Sequence, residues 1–355
     1  MTVDIYSACP CQALIGLTDS RMATCVHNIG HTMRRGGRVL FVFLLMTLLS
    51  PMALAADFGL GNAIEPVPLN TNLDPQKVAL GRSMFNDSRL SGGNGVSCAS
   101  CHFLNSGLTD RLPVSRGLPG YPGVVNTPSL FNVGLNSRFT WSGRLWTLED
   151  HTRGVIESRT TMGAKWEDVI AILSRDTGLM DEFAAVFKDG LNPQNVIDVI
   201  VAYEQSLNTP NAPFDRYLRG DQAAIGEDAK QGFELFKNYG CVSCHQGVNV
   251  GGNMLQVFGI FGKTKAAAKG SETPGSATKT GISDDRPVFR VPSLRNVAHT
   301  APYFHDGSAT TLRKAIDIMA SNQLGRHITD LDAARLEAFL RSLTGEYQGV
   351  SLDDL

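Results

Sequence analysis

Charge of either sign, alternating strand patterns and long apolar runs are all scarce in this chain. The formal net charge is only −2 over 355 residues, with 32 basic and 34 acidic side chains. Nothing in that balance suggests a nucleic-acid partner. Long period-two alternation is missing, which argues against extensive sheet and for helices joined by loops. The most apolar stretch, residues 39–46, falls well short of the roughly 20 residues that a membrane span requires. It follows Arg34, Arg35 and Arg38 and precedes Ala53-Leu54-Ala55. A basic start, a short apolar core and a small-residue cleavage site together read as a secretory signal beginning near residue 33. Residues 1–55 are therefore expected to be an over-extended start plus a cleaved signal, which places the mature protein in the periplasm as a soluble molecule.

Cysteine is scarce as well, once that segment is set aside. Of seven cysteines, Cys9, Cys11 and Cys25 lie in the expected leader. The four that remain all belong to two copies of one pentapeptide, Cys98-Ala99-Ser100-Cys101-His102 and Cys241-Val242-Ser243-Cys244-His245. None is left for a disulfide. Cys-x-x-Cys-His is the attachment signature of a c-type haem: two thioethers to the haem edge and an adjacent imidazole for the iron. Two zinc or thioredoxin-like Cys-x-x-Cys sites would leave both histidines unexplained. The expected cofactors are two covalently bound c-type haems, with His102 on the iron of the first and His245 on the iron of the second.

The chain before each motif echoes the other: Gly81-Arg82-Ser83-Met84-Phe85 and Gly232-Phe233-Glu234-Leu235-Phe236. Asp74-Pro75 and Asn192-Pro193 are helix starts, a capping side chain followed by proline at the first helical position. Val196, Ile197, Ile200 and Val201 follow with helical spacing, as do Leu312, Ala315, Ile316 and Met319. Thr329 with Asp332 opens a last helix predicted to contain Leu336, Phe339, Leu340 and Leu343. The predicted fold is mostly α, two cytochrome c-like haem domains with long loops and little β-structure. Residues 56–218 form the N-terminal domain and 219–355 the C-terminal one. The Thr209-Pro210-Asn211-Ala212-Pro213 stretch marks the break, and residues 263–286 are expected to form an exposed loop.

After the leader, six histidines and five methionines remain as candidate axial ligands. Met319 stands where a helix ends and is either a ligand or a continuation of the Leu312 and Ile316 stripe. A methionine ligand raises a haem's potential, whereas an open position admits a small oxidant.

In order along the chain come Asp87-x-Arg89-Leu90-Ser91, both haem motifs, Asn126-Thr127-Pro128-Ser129-Leu130-Phe131-Asn132 and Trp141-Ser142-Gly143-Arg144. Later come Pro292-Ser293-Leu294-Arg295-Asn296, Thr300-Ala301-Pro302-Tyr303-Phe304-His305-Asp306-Gly307, and Met319 followed by Gln323-Leu324-Gly325. In this combination the chain resembles the bacterial di-haem cytochrome c peroxidase superfamily, which includes methylamine-utilisation enzymes. The resemblance implies that Met319 ligates the second haem and that Trp141 relays electrons between the haems. The alternative for Trp141 is a buried core aromatic. It also implies that Asn126, Thr300 and Pro302 contribute oxygens to a calcium site. Implied partners are hydrogen peroxide and a small electron donor, a cytochrome c or a cupredoxin. Relatives are commonly dimers, so a homodimer is an expectation too.

The chain departs from the family around the first haem. No histidine occurs between Phe103 and Asp150, and Leu118 stands where many relatives place a second histidine ligand. The first iron is thus expected to be open or water-bound, Tyr121 being the alternative ligand. The family's distal glutamine aligns with His151 and its distal glutamate with Thr161. His151 is therefore expected to take over proton transfer, assisted by Arg153 or Glu157. A structural role, or ligation of the first iron, stays open for His151. The implied activity is peroxide reduction to water at the N-terminal haem, with electrons passing through the C-terminal one. Two alternatives remain. One is oxidation of a residue on a partner protein through a high-valent iron state, a branch that the family marks by tyrosine in place of the methionine. The other is a non-enzymatic di-haem electron carrier.

Overall fold

A computed structural model describes residues 63–262 and 288–355. The expected leader and the expected loop 263–286 lie outside these residues. The elements are overwhelmingly helical. They comprise α1 (Pro75–Phe85), α2 (Leu148–Glu157), α3 (Trp166–Leu173), α4 (Thr177–Val186), α5 (Pro193–Ser206), α6 (Pro213–Leu218), α7 (Glu227–Asn238), α8 (Leu312–Ile318) and α9 (Asp330–Arg341). Sheet is confined to two antiparallel ribbons among the described residues. One pairs β1 (Leu255–Val257) with β2 (Val288–Arg290), the other β3 (Glu346–Tyr347) with β4 (Val350–Ser351).

The caps form as the sequence predicts. Asp74 accepts from the backbone N–H of Gln76 and Lys77, Asn192 from that of Asn195, and Thr329 from that of Asp332. In α5 the predicted stripe of Val196, Ile197, Ile200 and Val201 is buried. The last helix differs in one respect. It ends at Arg341, so Leu343 lies beyond it, although Leu343 is still buried in the core.

The echo before the two motifs has a packing cause. Helix α1 crosses α5, and α7 crosses α9. At each crossing a glycine faces a backbone carbonyl of the partner helix. A Cβ on Gly81 would stand 1.8 Å from the Val199 oxygen, and one on Gly232 would stand 1.9 Å from the Arg335 oxygen. No other residue lets the helices approach so closely. Four residues on, Phe85 and Phe236 each place a ring centroid 6.4 Å from the imidazole of His102 and His245 respectively. Glycine sets the crossing, and the crossing aims an aromatic ring at each haem histidine.

A second repeat joins the halves. Asn132 and Asn296 occupy matching places in Pro-Ser-Leu-x-Asn, both with left-handed backbone, φ 59° and 58°. Their side-chain amides donate to one shared acceptor, Thr209 Oγ1, at 2.7 and 2.8 Å. Thr209 sits in the stretch read as the break between domains. Both ends of the described chain cross that break. Ile64 packs with Phe214, Phe236 and Phe339, whereas Tyr347 and Leu352 pack with Phe85, Leu130 and Phe131. The last helix itself packs on α7, beside the second motif.

Candidate haem centres

Each attachment motif is wound into a tight 3₁₀ turn. In the first, the Cys101 and His102 amides both reach the Cys98 carbonyl, at 3.1 and 3.0 Å; in the second, Cys244 and His245 reach that of Cys241, at 3.2 and 3.0 Å. This winding sets two sulfurs and one imidazole on a single short turn. All four cysteines are unbridged. Burial pushes the thiols of Cys98, Cys101 and Cys241 upward, the last to about 11.

Both histidines are held by the nitrogen that an iron would not use. His102 Nδ1 lies 2.8 Å from the Leu108 carbonyl, and His245 Nδ1 lies 3.4 Å from the Val250 carbonyl. A carbonyl accepts only N–H, so each ring carries its proton on Nδ1 and presents a bare Nε2. Burial lowers both histidines' affinity for a proton, that of His245 to about 4, so both are neutral, as an iron ligand must be.

Beside the second motif opens a cavity of about 270 Å³ lined by Cys241, Cys244, His245 and Met319. The described helix α8 stops at Ile318 and the chain continues in a π turn from Met319 to Gln323. Such turns recur at functional sites because the extra residue re-aims a side chain. Leu312 and Ile316 line the same cavity, so Met319 continues the apolar stripe and faces the second motif's cavity at once. The donor set of two sulfurs for attachment, an imidazole and a thioether fits a covalently bound haem.

Trp141 also lines this cavity, together with Asn126, Thr300 and Pro302. The indole Nε1 donates to the Asn126 carbonyl at 2.8 Å, and its ring centroid is 6.3 Å from that of His305. Asn126 turns its amide nitrogen to the Leu112 carbonyl at 2.8 Å, which leaves its side-chain oxygen for another partner. Asn126, Thr300 and Pro302, the three residues expected to hold calcium, and Trp141, the expected relay, thus all line this cavity.

At the first centre, His151 lies on α2. Its Nδ1 is buried and has no hydrogen-bond partner among the described residues. Burial lowers its proton affinity to about 4, and the nearby guanidinium of Arg290 opposes protonation further. The ring packs 5.9 Å from that of Phe139. Arg153 and Glu157 are not brought to it. Arg153 donates to Gln194 at 2.9 Å, and Glu157 accepts from the Trp166 indole at 2.9 Å. Helical geometry explains this: at 100° per residue they sit about 200° and 240° around α2 from His151. Thr161 spends its hydroxyl on the carbonyls of Val155 and Ser158. Tyr121 is exposed, its hydroxyl accepting from Arg159 at 3.3 Å, while Leu118 is buried. Met84 and Met162 are ordinary core residues.

Glu204 and Arg290 are among the buried ionisable groups that escaped the sequence reading. Glu204, on α5, accepts from the Thr152 hydroxyl at 3.0 Å, and burial pushes it up to about 8. Arg290, on β2, is 6 % exposed. Neither stands in a pattern that marks it: Glu204 lies within an ordinary helical stripe and Arg290 at the end of a three-residue strand.

Residues 75–223 match the family described as di-haem cytochrome c peroxidase. The chain is 35% identical over 311 residues to the cytochrome c551 peroxidase of Nitrosomonas europaea, an overlap of 87% of this chain and 92% of that protein. To the cytochrome c peroxidase Ccp of Escherichia coli (strain K12) it is 38% identical over 290 residues, which is 80% of this chain but only 61% of that longer protein. Among solved structures, a MauG-like protein associated with microbial copper homeostasis superposes with a TM-score of 0.67 at 30% identity, covering 81% of this chain and 95% of that one. With two identically wound attachment turns and relatives matched over most of their length, the chain belongs to the di-haem cytochrome c peroxidase family and is a haem oxidoreductase carrying two c-type haems.

Proposed function

We propose that this protein reduces hydrogen peroxide to water at the haem held by Cys98, Cys101 and His102. Electrons would come from a small cytochrome c or cupredoxin and enter through the haem held by Cys241, Cys244, His245 and Met319. The haems supply an oxidant-binding iron and an electron-transfer iron. His151 supplies the proton chemistry: a neutral imidazole takes the proton from the peroxide oxygen that binds and returns it to the oxygen that leaves. The observation that carries this reading is the buried, unpartnered Nδ1 of His151, in electrostatic reach of the proximal His102. A buried nitrogen with no protein partner is available to exchange a proton with a ligand. Phe139 packs beside the imidazole and limits its freedom. Leu118, in place of a second histidine, leaves the first iron open.

Trp141, pinned through its indole N–H, holds a fixed orientation at the wall of the second cavity, which supports a relay role. Asn126, Thr300 and Pro302 offer oxygens at the lining of the same cavity and support a calcium ion there. The expected leader places the enzyme in the periplasm. Among the described residues no helix is long and apolar enough to cross a membrane. The second reading, oxidation of a residue on a partner protein, is disfavoured by Met319 at the second cavity. Steady-state assay of the holoprotein with hydrogen peroxide and a reduced small cytochrome c tests the proposal. Peroxide-dependent oxidation of the donor is expected. A haem-loaded protein that leaves the donor reduced would overturn it.

A further inference from the structure

A buried guanidinium with no carboxylate partner among the described residues lies on the wall of the second cavity. Arg290 lines it together with Cys241, Cys244 and His245. Its Nε donates to the Thr140 carbonyl at 3.1 Å, and its backbone N–H to the Trp141 carbonyl at 2.8 Å. Arg290 thus clamps the turn that carries Trp141. A guanidinium has five N–H donors. The remainder of this one meet no carboxylate among the described residues, and burial lowers its proton affinity to about 10.

Arg295, five residues on, shows what this chain does with a buried cation when it supplies its own partner. Its Nη1 lies 2.6 Å from Asp215 Oδ1, both side chains fully buried. Its Nε and Nη2 donate to the carbonyls of Val248 and Glu65. A buried charge that is left unpaired is strongly destabilising, so cations without a counter-charge are not kept in interiors. A ligand filling the cavity can supply the anion that no described residue provides. A haem carries two carboxylates on the edge away from its thioethers, and a guanidinium is the side chain best suited to pair with one.

We propose that Arg290 is the counter-ion of a propionate of the second haem and, through that pair, a positioning residue that raises this haem's reduction potential. The inference rests on reading the cavity as a haem site. A nearby positive charge favours the electron-rich reduced state, so removing it makes the haem harder to reduce. The same contact ties the haem edge to the Thr140–Trp141 turn.

The test is spectroelectrochemical titration of the holoprotein, resolving both haems, in wild type, Arg290→Met, Arg290→Gln and Arg290→Lys. Mass measurement first establishes haem on Cys241 and Cys244. If wild type carries none there, the haem reading itself fails. With both haems attached, Arg290→Met should lower the potential of the second haem, move that of the first less, and be largely reversed in Arg290→Lys. Arg290→Gln keeps a donor for Thr140 without the charge and should match Arg290→Met, which preserves the test if the methionine variant does not fold. An unchanged second-haem potential, a fall confined to the first haem, or a lysine variant as low as the neutral ones would overturn the proposal.

Discussion

The low proton affinity of His151 makes a prediction that an ordinary histidine would not. With its value near 4, the imidazole is about nine-tenths neutral at pH 5 and almost wholly neutral at pH 7. An unperturbed histidine, with a value of about 6.5, would be only about one-thirtieth neutral at pH 5. If neutral His151 is the base, peroxide cleavage should lose only about a tenth of its rate between pH 7 and pH 5, against a fall of roughly twentyfold for an unshifted imidazole. The inflection should come near pH 4, the acid limb falling as the ring takes up a proton. Replacing the ring, as His151→Ala or as His151→Gln, should slow cleavage by about 10²- to 10⁴-fold. That is roughly 3–5 kcal/mol at 1.36 kcal/mol per factor of ten. Stopped-flow mixing of the half-reduced holoprotein with peroxide across pH 4 to 8 measures both effects. An alanine variant within threefold of wild type, or an inflection near 6.5, would refute the reasoning.

Other predictions concern the frame around the haems. Glu204 holds its proton up to about 8 in the folded protein against an ordinary 4.5, so folding takes up a proton there. The stability this brings is fully present below pH 4.5 and is lost as pH rises through 8, of the order of several kcal/mol at 1.36 kcal/mol per unit. Thermal denaturation of Glu204→Gln should show a flatter decline from pH 5 to 8, and an unchanged slope would count against it. Gly81→Ala and Gly232→Ala drive a methyl into a facing carbonyl and should each cost about 1–3 kcal/mol in denaturant titration; full stability would mean that the helix crossings yield. Arg295→Met strands the Asp215 charge and should cost about 3–5 kcal/mol, while adding Asp215→Asn should recover a substantial part. Equal stability of the single and double variants would show that the pair is not coupled.

How much of this was legible in the sequence depended on whether the signal was local. The haem turns and the caps at Asp74, Asn192 and Thr329 are set by residues a few positions apart, and they form as read. The π turn at Met319 was not legible, because apolar spacing cannot tell a continuing helix from one that takes in an extra residue. Arg153 and Glu157 were chosen by nearness to His151 along the chain, but a helix sends them to other faces. The shared Thr209 acceptor joins two motifs that were noticed separately, and only the fold brings their asparagines together. Arg290 and Glu204 are consequences of burial, a tertiary property that a strand end or a mid-helix position does not announce. The Gly-x-x-x-Phe echo was visible as a repeat, but its cause, a helix crossing at a bare carbonyl, was not.

The central claim is an asymmetry between the two irons, and electron paramagnetic resonance of the ferric and half-reduced holoprotein tests it most directly. The account predicts one high-spin haem with an open or water-bound position, assigned to Cys98, Cys101 and His102, and one low-spin haem ligated by His245 and Met319. Two low-spin haems in both oxidation states would contradict it.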